Sequence, residues 1–397
     1  MKFMAKGQKP SATGNFVEPG TMLRSMVFGT AFAIGLTFST SPGIAQSEAT
    51  DAGVEAPTQE NMNENAATTE PMAQSDVSEP ARVEVSGDAT SSVVFMYHRF
   101  GEDEYPSTNI KIDQFKEHVA ELTNGSYTVL GVPQIVSALE KGEGLPDRTV
   151  GITIDDAYRS VYEIAWPIFR ENNMPFTVFV STEQLDDGFS NYMTWDMVRE
   201  MAKAGVTIGG HSQHHSHLPD LEIEAVKAEL AHSADRFKQE LGYVPDIFAY
   251  PYGEANDAVI AAVKEAGYKA AFGQQSGAMS VDLDFMYLPR FALNEHYGSM
   301  DRFTLAANSL PLAVTDITPA NYTLTRNPPA FGFTLKEAAP NVACYPSDGD
   351  ATMTRLGDER VEIRLDGPVA SGRWRINCTS MGPNSRWQWF GMLYTVP

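Results

Sequence analysis

From residue 91 to residue 290 the sequence alternates short apolar segments with segments whose apolar residues recur at helical spacing. The apolar segments are Val93–Tyr97, Val150–Ile154, Phe176–Val180, Val206–Gly210 and Ile247–Tyr250. Continuous apolar runs of this length are typical of strands that are covered on both faces. Strands that alternate with helices in this way predict right-handed β-α-β units and a mainly parallel sheet. Six to eight such strands over about 215 residues favour a distorted parallel (β/α) barrel.

Further elements complete this pattern. Short strands are predicted at Tyr127–Leu130, Ala270–Phe272 and Met286–Leu288. Apolar residues at helical spacing predict helices over residues 112–122, 135–139, 158–171, 195–204, 222–241 and 257–266.

Several polar side chains lie at or just after the ends of these predicted strands. In parallel β/α barrels the carboxyl ends of the strands meet at one mouth, which is where active sites lie. We therefore expect one cluster from residues that are remote in sequence, namely His98, Asp155, Asp156, His211, Tyr252 and Arg290.

Two features of this set suggest chemistry. Asp155 and Asp156 are adjacent at a strand end, although Asp156 alone would also suit the cap of the following helix. Four of the eight histidines fall within seven residues, and His211 and His215 are four apart, so one helical turn would place both on one face. Two imidazoles and a carboxylate form a common divalent-metal triad, which could equally hold non-haem iron.

The motifs resemble those of the polysaccharide deacetylase family, carbohydrate esterase family 4. Thr153–Asp156 is similar to its first motif, and His211–His215 matches its second, a His-Ser/Thr-x-x-His metal motif. Ala249–Gly253 resembles the third, with alanine at the arginine position, and Leu288–Arg290 could supply the fourth motif's arginine. A pattern similar to the fifth stands at the start of the fold, in Phe95–His98, as in the subgroup that acts on poly-β-1,6-N-acetylglucosamine.

The resemblance implies a role for each residue. It implies a divalent metal, Zn²⁺ first with Co²⁺ or Ni²⁺ as alternatives, on Asp156, His211 and His215, where it would acidify water and polarise the acetyl carbonyl. It implies that Asp155 is the general base and that Arg290 orients it. It also implies that the backbone N–H of Tyr252 stabilises the oxyanion and that His98 is the general acid. His296 is an alternative acid, and His214 and His217 are expected outside the ligand set.

The segments that flank this region have different compositions. Residues 1–45 read as a secretory signal peptide, with basic residues, an apolar run from Met26 to Phe38 and small residues before Ala45; an uncleaved anchor is the alternative. Residues 46–90 have ten acidic residues, one basic residue and no aromatic residue, which predicts a disordered acidic linker. The barrel is assigned to residues 91–310 and a small β-rich domain to residues 311–397.

Charge and cysteine content restrict the partners. The net charge of −22 argues against binding to nucleic acid or to an anionic membrane. Export to an oxidising compartment predicts a disulfide between the two cysteines, Cys344 and Cys378.

The sequence therefore predicts a periplasmic or secreted metal-dependent hydrolase that removes N-acetyl groups from an N-acetylhexosamine polysaccharide and is not inserted in a membrane after signal cleavage. Two alternatives remain open at this point. One is a catalytically weak carbohydrate-binding or scaffold protein, and the other is an amidase that acts on a small, non-polymeric amide.

Overall fold

A curled sheet of mainly parallel strands forms the first part of the structure, a computed structural model that describes residues 87–397. The predicted signal peptide (1–45) and linker residues 46–86 lie outside the described residues. The strands of this part are β1 Ser91–Tyr97, β2 Arg99–Phe100, β3 Asn109–Ile110, β4 Thr128–Val129, β5 Thr149–Ile154, β6 Thr177–Val180, β7 Thr207–Gly210, β8 Ile247–Ala249, β9 Ala270–Phe272, β10 Met279–Ser280 and β11 Phe291–Ala292. The helices are α1 Ile112–Asn124, α2 Val132–Glu140, α3 Trp166–Glu171, α4 Thr182–Asp186, α5 Trp195–Lys203, α6 Ile223–Leu241, α7 Asp257–Glu265 and α8 Met300–Ala307.

The strands follow the order β10-β1-β5-β6-β7-β8-β9, and all neighbours from β1 to β9 are parallel. The sheet curls back on itself, because Phe272 of β9 bridges Leu288 and Phe291 of β11 pairs with Phe95 of β1. The predicted distorted (β/α) barrel is confirmed. All six residues of β5 are buried, as its continuous apolar sequence predicts, so the strand is held between β1 and β6 with its carboxyl end at the mouth.

Two predicted elements differ in detail. The strand expected over Met286–Leu288 is wrong, because Tyr287 donates its N–H to Asp284 in a turn and only Leu288 makes a bridge. Pro289 has no N–H to continue a ladder, so the last parallel strand, β11, begins only after Arg290. The helix expected over residues 158–171 consists of a π-helical turn, Val161–Ala165, followed by α3.

The C-terminal part is a sandwich of two four-stranded sheets. Its strands are β12 Leu310–Pro311, β13 Val314–Thr318, β14 Ala330–Leu335, β15 Ala343–Pro346, β16 Ala351–Leu356, β17 Arg360–Leu365, β18 Gly372–Met381 and β19 Trp387–Val396. The sheet orders are β12-β19-β18-β15 and β13-β14-β17-β16, and apolar side chains such as Phe331, Phe333, Trp374 and Tyr394 fill the space between them. The predicted disulfide is confirmed: Cys344 and Cys378 face each other on β15 and β18 and are bonded.

The sandwich packs closely against the barrel. A Cβ at Gly391 of β19 would lie 2.1 Å from the carbonyl oxygen of Ser276, so only glycine permits this backbone approach. Phe291 and Trp389 meet edge to face with ring centroids 5.2 Å apart. Within residues 87–397, no helix combines the length and apolar character needed to cross a bilayer.

Candidate active site

Asp155, the first residue after β5, forms a buried ion pair with Arg290. The Nη1 of Arg290 donates to Oδ1 of Asp155 at 2.6 Å, and Nη2 donates to Oδ2 at 2.8 Å. Both side chains are fully buried. Ala249 occupies the position at which the third motif would have an arginine, and Arg290 is the arginine that binds Asp155 instead. The pairing is bidentate, a geometry that makes charge-assisted hydrogen bonds strong.

The position of Arg290 is fixed by two further acceptors. Its Nε donates to the carbonyl oxygen of Gly273, which follows β9, and its Nη1 donates to Oγ1 of Thr153 on β5. Burial alone would raise the pKa of the Asp155 carboxyl, but the Arg290 guanidinium, followed by His211, outweighs it and lowers that pKa. Asp155 is therefore an ionised carboxylate at neutral pH.

Asp156 faces away from Arg290 and toward two histidines. Its Oδ1 lies 3.3 Å from Nε2 of His211 and 3.1 Å from Nε2 of His215. One ligand atom from each of the three residues falls within 4.8 Å of the other two. Burial would raise the pKa of Asp156, but hydrogen-bonding and charge contributions from the two imidazoles hold it well below its usual range.

The hydrogen bonds around this triad fit a cation. Nδ1 of His211 lies 2.6 Å from the Ala249 carbonyl oxygen, so it carries the proton and leaves Nε2 as an acceptor. Although Oδ1 of Asp156 is close to both imidazoles, neither this oxygen nor Nε2 of His211 has a well-oriented hydrogen-bond partner among the described residues, and both atoms are buried. Two buried acceptors without a donor are costly unless a positive charge lies between them.

The pKa of His211 supports the same reading. Burial would lower the pKa of His211, but Asp156 and Asp155 together raise it. The space between the His211 ring and the two carboxylates therefore favours positive charge. A divalent cation provides that charge and takes the place of the proton on Nε2. The donor set of two imidazoles and one carboxylate therefore fits a divalent metal.

The two histidines converge by a route that the sequence did not predict. Residues 211–217 form a loop of bends, not the helical turn expected from the four-residue spacing. Ser212 and His215 both have positive φ, at 64° and 60°, and Oγ of Ser212 accepts the N–H of His215. In this loop the ring of His215 lies edge-on to the ring of His211, with centroids 4.8 Å apart.

His98 directly follows β1 and lies beside Asp155. Its Nε2 is 4.0 Å from Oδ2 of Asp155. Burial lowers the pKa of His98 more than Asp156 and Asp155 raise it. The alternative acid, His296, is exposed in the turn after β11, where its N–H donates to Asn294.

Tyr252 lies in the turn after β8, beside the triad. Its ring centroid is 4.5 Å from that of His215, and its backbone has φ 59°, a left-handed conformation that is uncommon for a residue other than glycine. Tyr252 also lines a groove that opens onto Asp156. The other residues of the groove wall are Tyr158, Ser181, Gln184, Tyr192, His214 and His215.

The remaining two histidines of the cluster are held by carboxylates. Both ring nitrogens of His214 face carboxylates, those of Glu229 and Glu183, and Nδ1 of His217 lies 2.6 Å from Oε2 of Glu254. The sequence reasoning missed these acids. Glu229 could have been found, because it occupies a buried position on the apolar face of α6 where a charged residue needs a partner.

Part of the chain matches a known protein family. Residues 142–271 match the model of the polysaccharide deacetylase family. The protein carries a polysaccharide deacetylase domain. This confirms the resemblance seen in the motifs and supports an enzyme of the polysaccharide deacetylase class. The match includes Asp155, Asp156, His211, His215 and Tyr252.

Curated relatives extend the likeness beyond the matched region. A putative polysaccharide deacetylase of Bacillus subtilis is 26% identical over 197 residues, which is 50% of this chain and 69% of the relative. A poly-β-1,6-N-acetyl-D-glucosamine N-deacetylase of Staphylococcus aureus strain N315 is 26% identical over 215 residues, 51% of this chain and 73% of the relative.

Solved structures share the fold of the deacetylase domain. The Streptococcus pyogenes deacetylase PplD aligns over 55% of this chain and 99% of its own, with a TM-score of 0.52 and 21% identity. A de-N-acetylase from Aggregatibacter actinomycetemcomitans aligns over 54% and 99%, with a TM-score of 0.50 and 21% identity. These likenesses support the curled barrel and cover just over half of this chain.

Proposed function

We propose that the protein is a metal-dependent hydrolase that removes N-acetyl groups from a poly-N-acetylhexosamine, with poly-β-1,6-N-acetylglucosamine as the first candidate. The observation that carries this proposal is the division of labour between adjacent acids. Asp155 is paired with Arg290, whereas Asp156 faces His211 and His215, and its Oδ1 has no well-oriented hydrogen-bond partner in the part of the chain that the structure describes. Amide hydrolysis by activated water needs both a base and a cation beside one another.

The cation would be held by Oδ1 of Asp156 and the Nε2 atoms of His211 and His215. A mixed nitrogen and oxygen donor set suits Zn²⁺ best, with Co²⁺ or Ni²⁺ as alternatives. When bound, such an ion acidifies water and polarises the acetyl carbonyl.

Asp155 is the proposed general base. It is ionised and dry, and both of its oxygens are fixed by Arg290, so its orientation toward the attacking water is set before substrate arrives. Taking the water's proton makes Asp155 neutral and leaves Arg290 without its counter-charge. The base therefore returns the proton readily.

His98 is the proposed acid that protonates the departing amine. It lies 4.0 Å from Asp155, so the proton taken from water has a short route to the leaving nitrogen. Burial lowers its pKa, which makes the imidazolium a stronger acid once it forms. The exposed position of His296 on the turn after β11 favours His98 for this role.

The backbone N–H of Tyr252 is the proposed donor to the oxyanion. Tyr252 lines the groove beside Asp156, its ring lies 4.5 Å from that of His215, and its backbone has a left-handed conformation at φ 59°. One donor of this kind is typically worth about 3 kcal/mol in the transition state.

The groove supports a polymeric sugar as substrate. Tyr192 lies in its wall next to Asp156, backed by the buried ring of Tyr158 with ring centroids 4.8 Å apart. Flat aromatic surface beside polar side chains suits a pyranose ring. The relative from Staphylococcus aureus is named for poly-β-1,6-N-acetyl-D-glucosamine, and a substrate of that kind would place the protein in the periplasm or outside the cell.

The test is acetate release by the purified protein from β-1,6-linked N-acetylglucosamine oligomers, with β-1,4-linked oligomers and N-acetylglucosamine itself as comparison substrates. We expect turnover of the β-1,6 oligomers that disappears with a chelator and returns with Zn²⁺, Co²⁺ or Ni²⁺. Asp155→Asn should keep the bound metal and lose turnover. Activity that survives both chelation and Asp155→Asn would refute the mechanism, and activity on the monosaccharide alone would refute the polymeric substrate.

A further inference from the structure

One arginine of the C-terminal sandwich reaches into the candidate active site. Arg373, near the start of β18, donates from Nη1 to the carbonyl oxygen of Tyr252 at 3.2 Å. Its Nε lies 3.8 Å from Oε1 of Glu254, and its guanidinium carbon lies 5.7 Å from the centre of the Tyr252 ring. A single side chain from the sandwich thus contacts the turn after β8 in three ways.

This turn needs such support, because its central residue is strained. Tyr252 has φ 59° and ψ 2°, and a left-handed conformation costs a residue with a side chain of order 1 kcal/mol. A strained residue keeps its conformation only when its surroundings determine it from several sides.

The other supports come from the barrel. The ring of His217 stacks on the ring of Tyr252, with centroids 3.9 Å apart and planes 4° from parallel. Glu254, only 4% exposed, joins the two sides, because one of its oxygens binds His217 and the other faces Arg373. Tyr252 is therefore held between a histidine of the barrel and an arginine of the sandwich.

We propose that Arg373 is a positioning residue for deacetylation, so that the C-terminal sandwich completes the active site. The inference rests on the proposed function, in which the backbone N–H of Tyr252 faces the oxyanion. Arg373 fixes the carbonyl of the same residue and so restricts rotation about its Cα. A small displacement of an oxyanion donor costs rate, since its hydrogen bond must meet charge that develops only in the transition state.

Arg373 is not expected to act through stability. Its side chain is 36% exposed and its ion pair with Glu254 is long. Buried Glu254 keeps His217 as a partner when Arg373 is removed, so the loss should cost little of the free energy of unfolding. Loss of the side chain should therefore appear in kcat and leave the melting temperature nearly unchanged.

The experiment compares Arg373→Ala and Arg373→Lys with Arg364→Ala, a control on β17 whose guanidinium pairs with Glu362. We expect Arg373→Ala to lower kcat about threefold to tenfold, the usual weight of one hydrogen bond, with KM within about twofold of wild type. Arg373→Lys should lie between, because lysine keeps the charge but not the fork of donors. Arg364→Ala should behave as wild type, and bound metal should be equal in all four proteins.

A second measurement does not depend on turnover. Amide hydrogen exchange at Gly253 and Glu254, whose N–H groups donate to Tyr250 and Pro251, should become faster in Arg373→Ala and stay unchanged in Arg364→Ala. Faster exchange in a protein whose wild type releases no acetate would uphold the positioning of the turn and refute the proposed function alone. Unchanged exchange and unchanged kcat in Arg373→Ala would overturn the inference, and so would a fall in melting temperature that accounts for the lost activity.

Discussion

Two fully buried histidines in the barrel differ by one hydrogen bond. His118, on α1, has both ring nitrogens engaged, with the Tyr97 hydroxyl at 3.0 Å and the Gly298 carbonyl oxygen at 2.9 Å. Among the described residues His211 has a single hydrogen-bond partner, the Ala249 carbonyl oxygen, and its Nε2 lies 3.3 Å from Oδ1 of Asp156. Both ring nitrogens of His118 are thus used to hold the fold together, whereas Nε2 of His211 lacks a well-oriented partner within residues 87–397 and is free to bind a cation.

The two adjacent acids repeat this difference. Both oxygens of Asp155 are bonded to Arg290, whereas Oδ1 of Asp156 lacks a well-oriented partner among the described residues. Loss of a buried side chain whose hydrogen bonds are complete should chiefly lower the stability of the fold, and loss of the Asp155 partner should also change the protonation of the proposed base. Loss of a buried side chain that lacks a hydrogen-bond partner should chiefly weaken the binding of a cation.

The largest effect is expected from His211→Ala. Without this ligand the site should lose its metal, and acetate release should fall at least ~10⁴-fold, since ordinary water is a far weaker nucleophile than metal-activated water. The metal-free protein should lose only about 2–3 kcal/mol of unfolding free energy for the cavity that the buried ring leaves, because the lost Ala249 hydrogen bond is offset by removal of an unsatisfied buried atom. The measurements are metal content, acetate release and a urea titration in chelator. A loss of metal-free stability well above this cavity cost would mean that His211 belongs with His118.

Arg290→Met is expected to affect both properties. It leaves Asp155 charged, buried and unpaired, which should cost about 3–5 kcal/mol of unfolding free energy in addition to activity. Metal content should be retained, since the hydrogen bonds of Arg290 go to Gly273, Thr153 and Asp155 and not to the three proposed ligand residues. Arg302→Met is the control, because that guanidinium lies over the Tyr297 ring and bonds no carboxylate in the described ion pairs. Equal losses for the two variants in urea titrations would contradict the assignment.

The smallest effect concerns His118 and pH. Burial lowers the pKa of His118 to about 4, whereas an unfolded histidine titrates near 6.5. Between these values the unfolded chain binds a proton that the folded protein does not, so stability should fall by up to about 3 kcal/mol as pH drops from 6.5 to 4.

The variant His118→Gln should make this dependence shallower, whereas His232→Gln, at an exposed position on α6, should not change it. Urea midpoints at pH 7 and pH 4.5 provide the measurement. If the urea midpoint of His118→Gln fell between pH 7 and pH 4.5 as much as that of the wild type, groups other than His118 would govern the loss of stability in acid.

The barrel and the meeting of remote residues at its mouth could be predicted because they follow from periodicity. Continuous apolar strands such as β5 imply burial on both faces, and parallel strands bring their carboxyl ends together. On that basis Asp155 and His211 were expected to be neighbours, and the structure places them in one site. Their catalytic roles stay predictions that the proposed experiments test.

Local geometry and domain packing could not be predicted in the same way. The spacing of His211 and His215 suggested a helical turn, but positive φ at Ser212 and His215 produces the same convergence without one. Arg373 carries no signal at all in the sequence, because its importance arises only when the sandwich packs beside the turn that holds Tyr252.

The anchoring of Arg290 has a consequence for how the chain becomes active. All three residues proposed to hold the metal precede residue 216. The partner of Asp155 is residue 290, which directly precedes β11, the strand that pairs with β1. A chain that is incomplete at this point has its metal-holding side chains and an unpaired acid. The barrel therefore closes and the proposed base gains its arginine partner in the same step of folding.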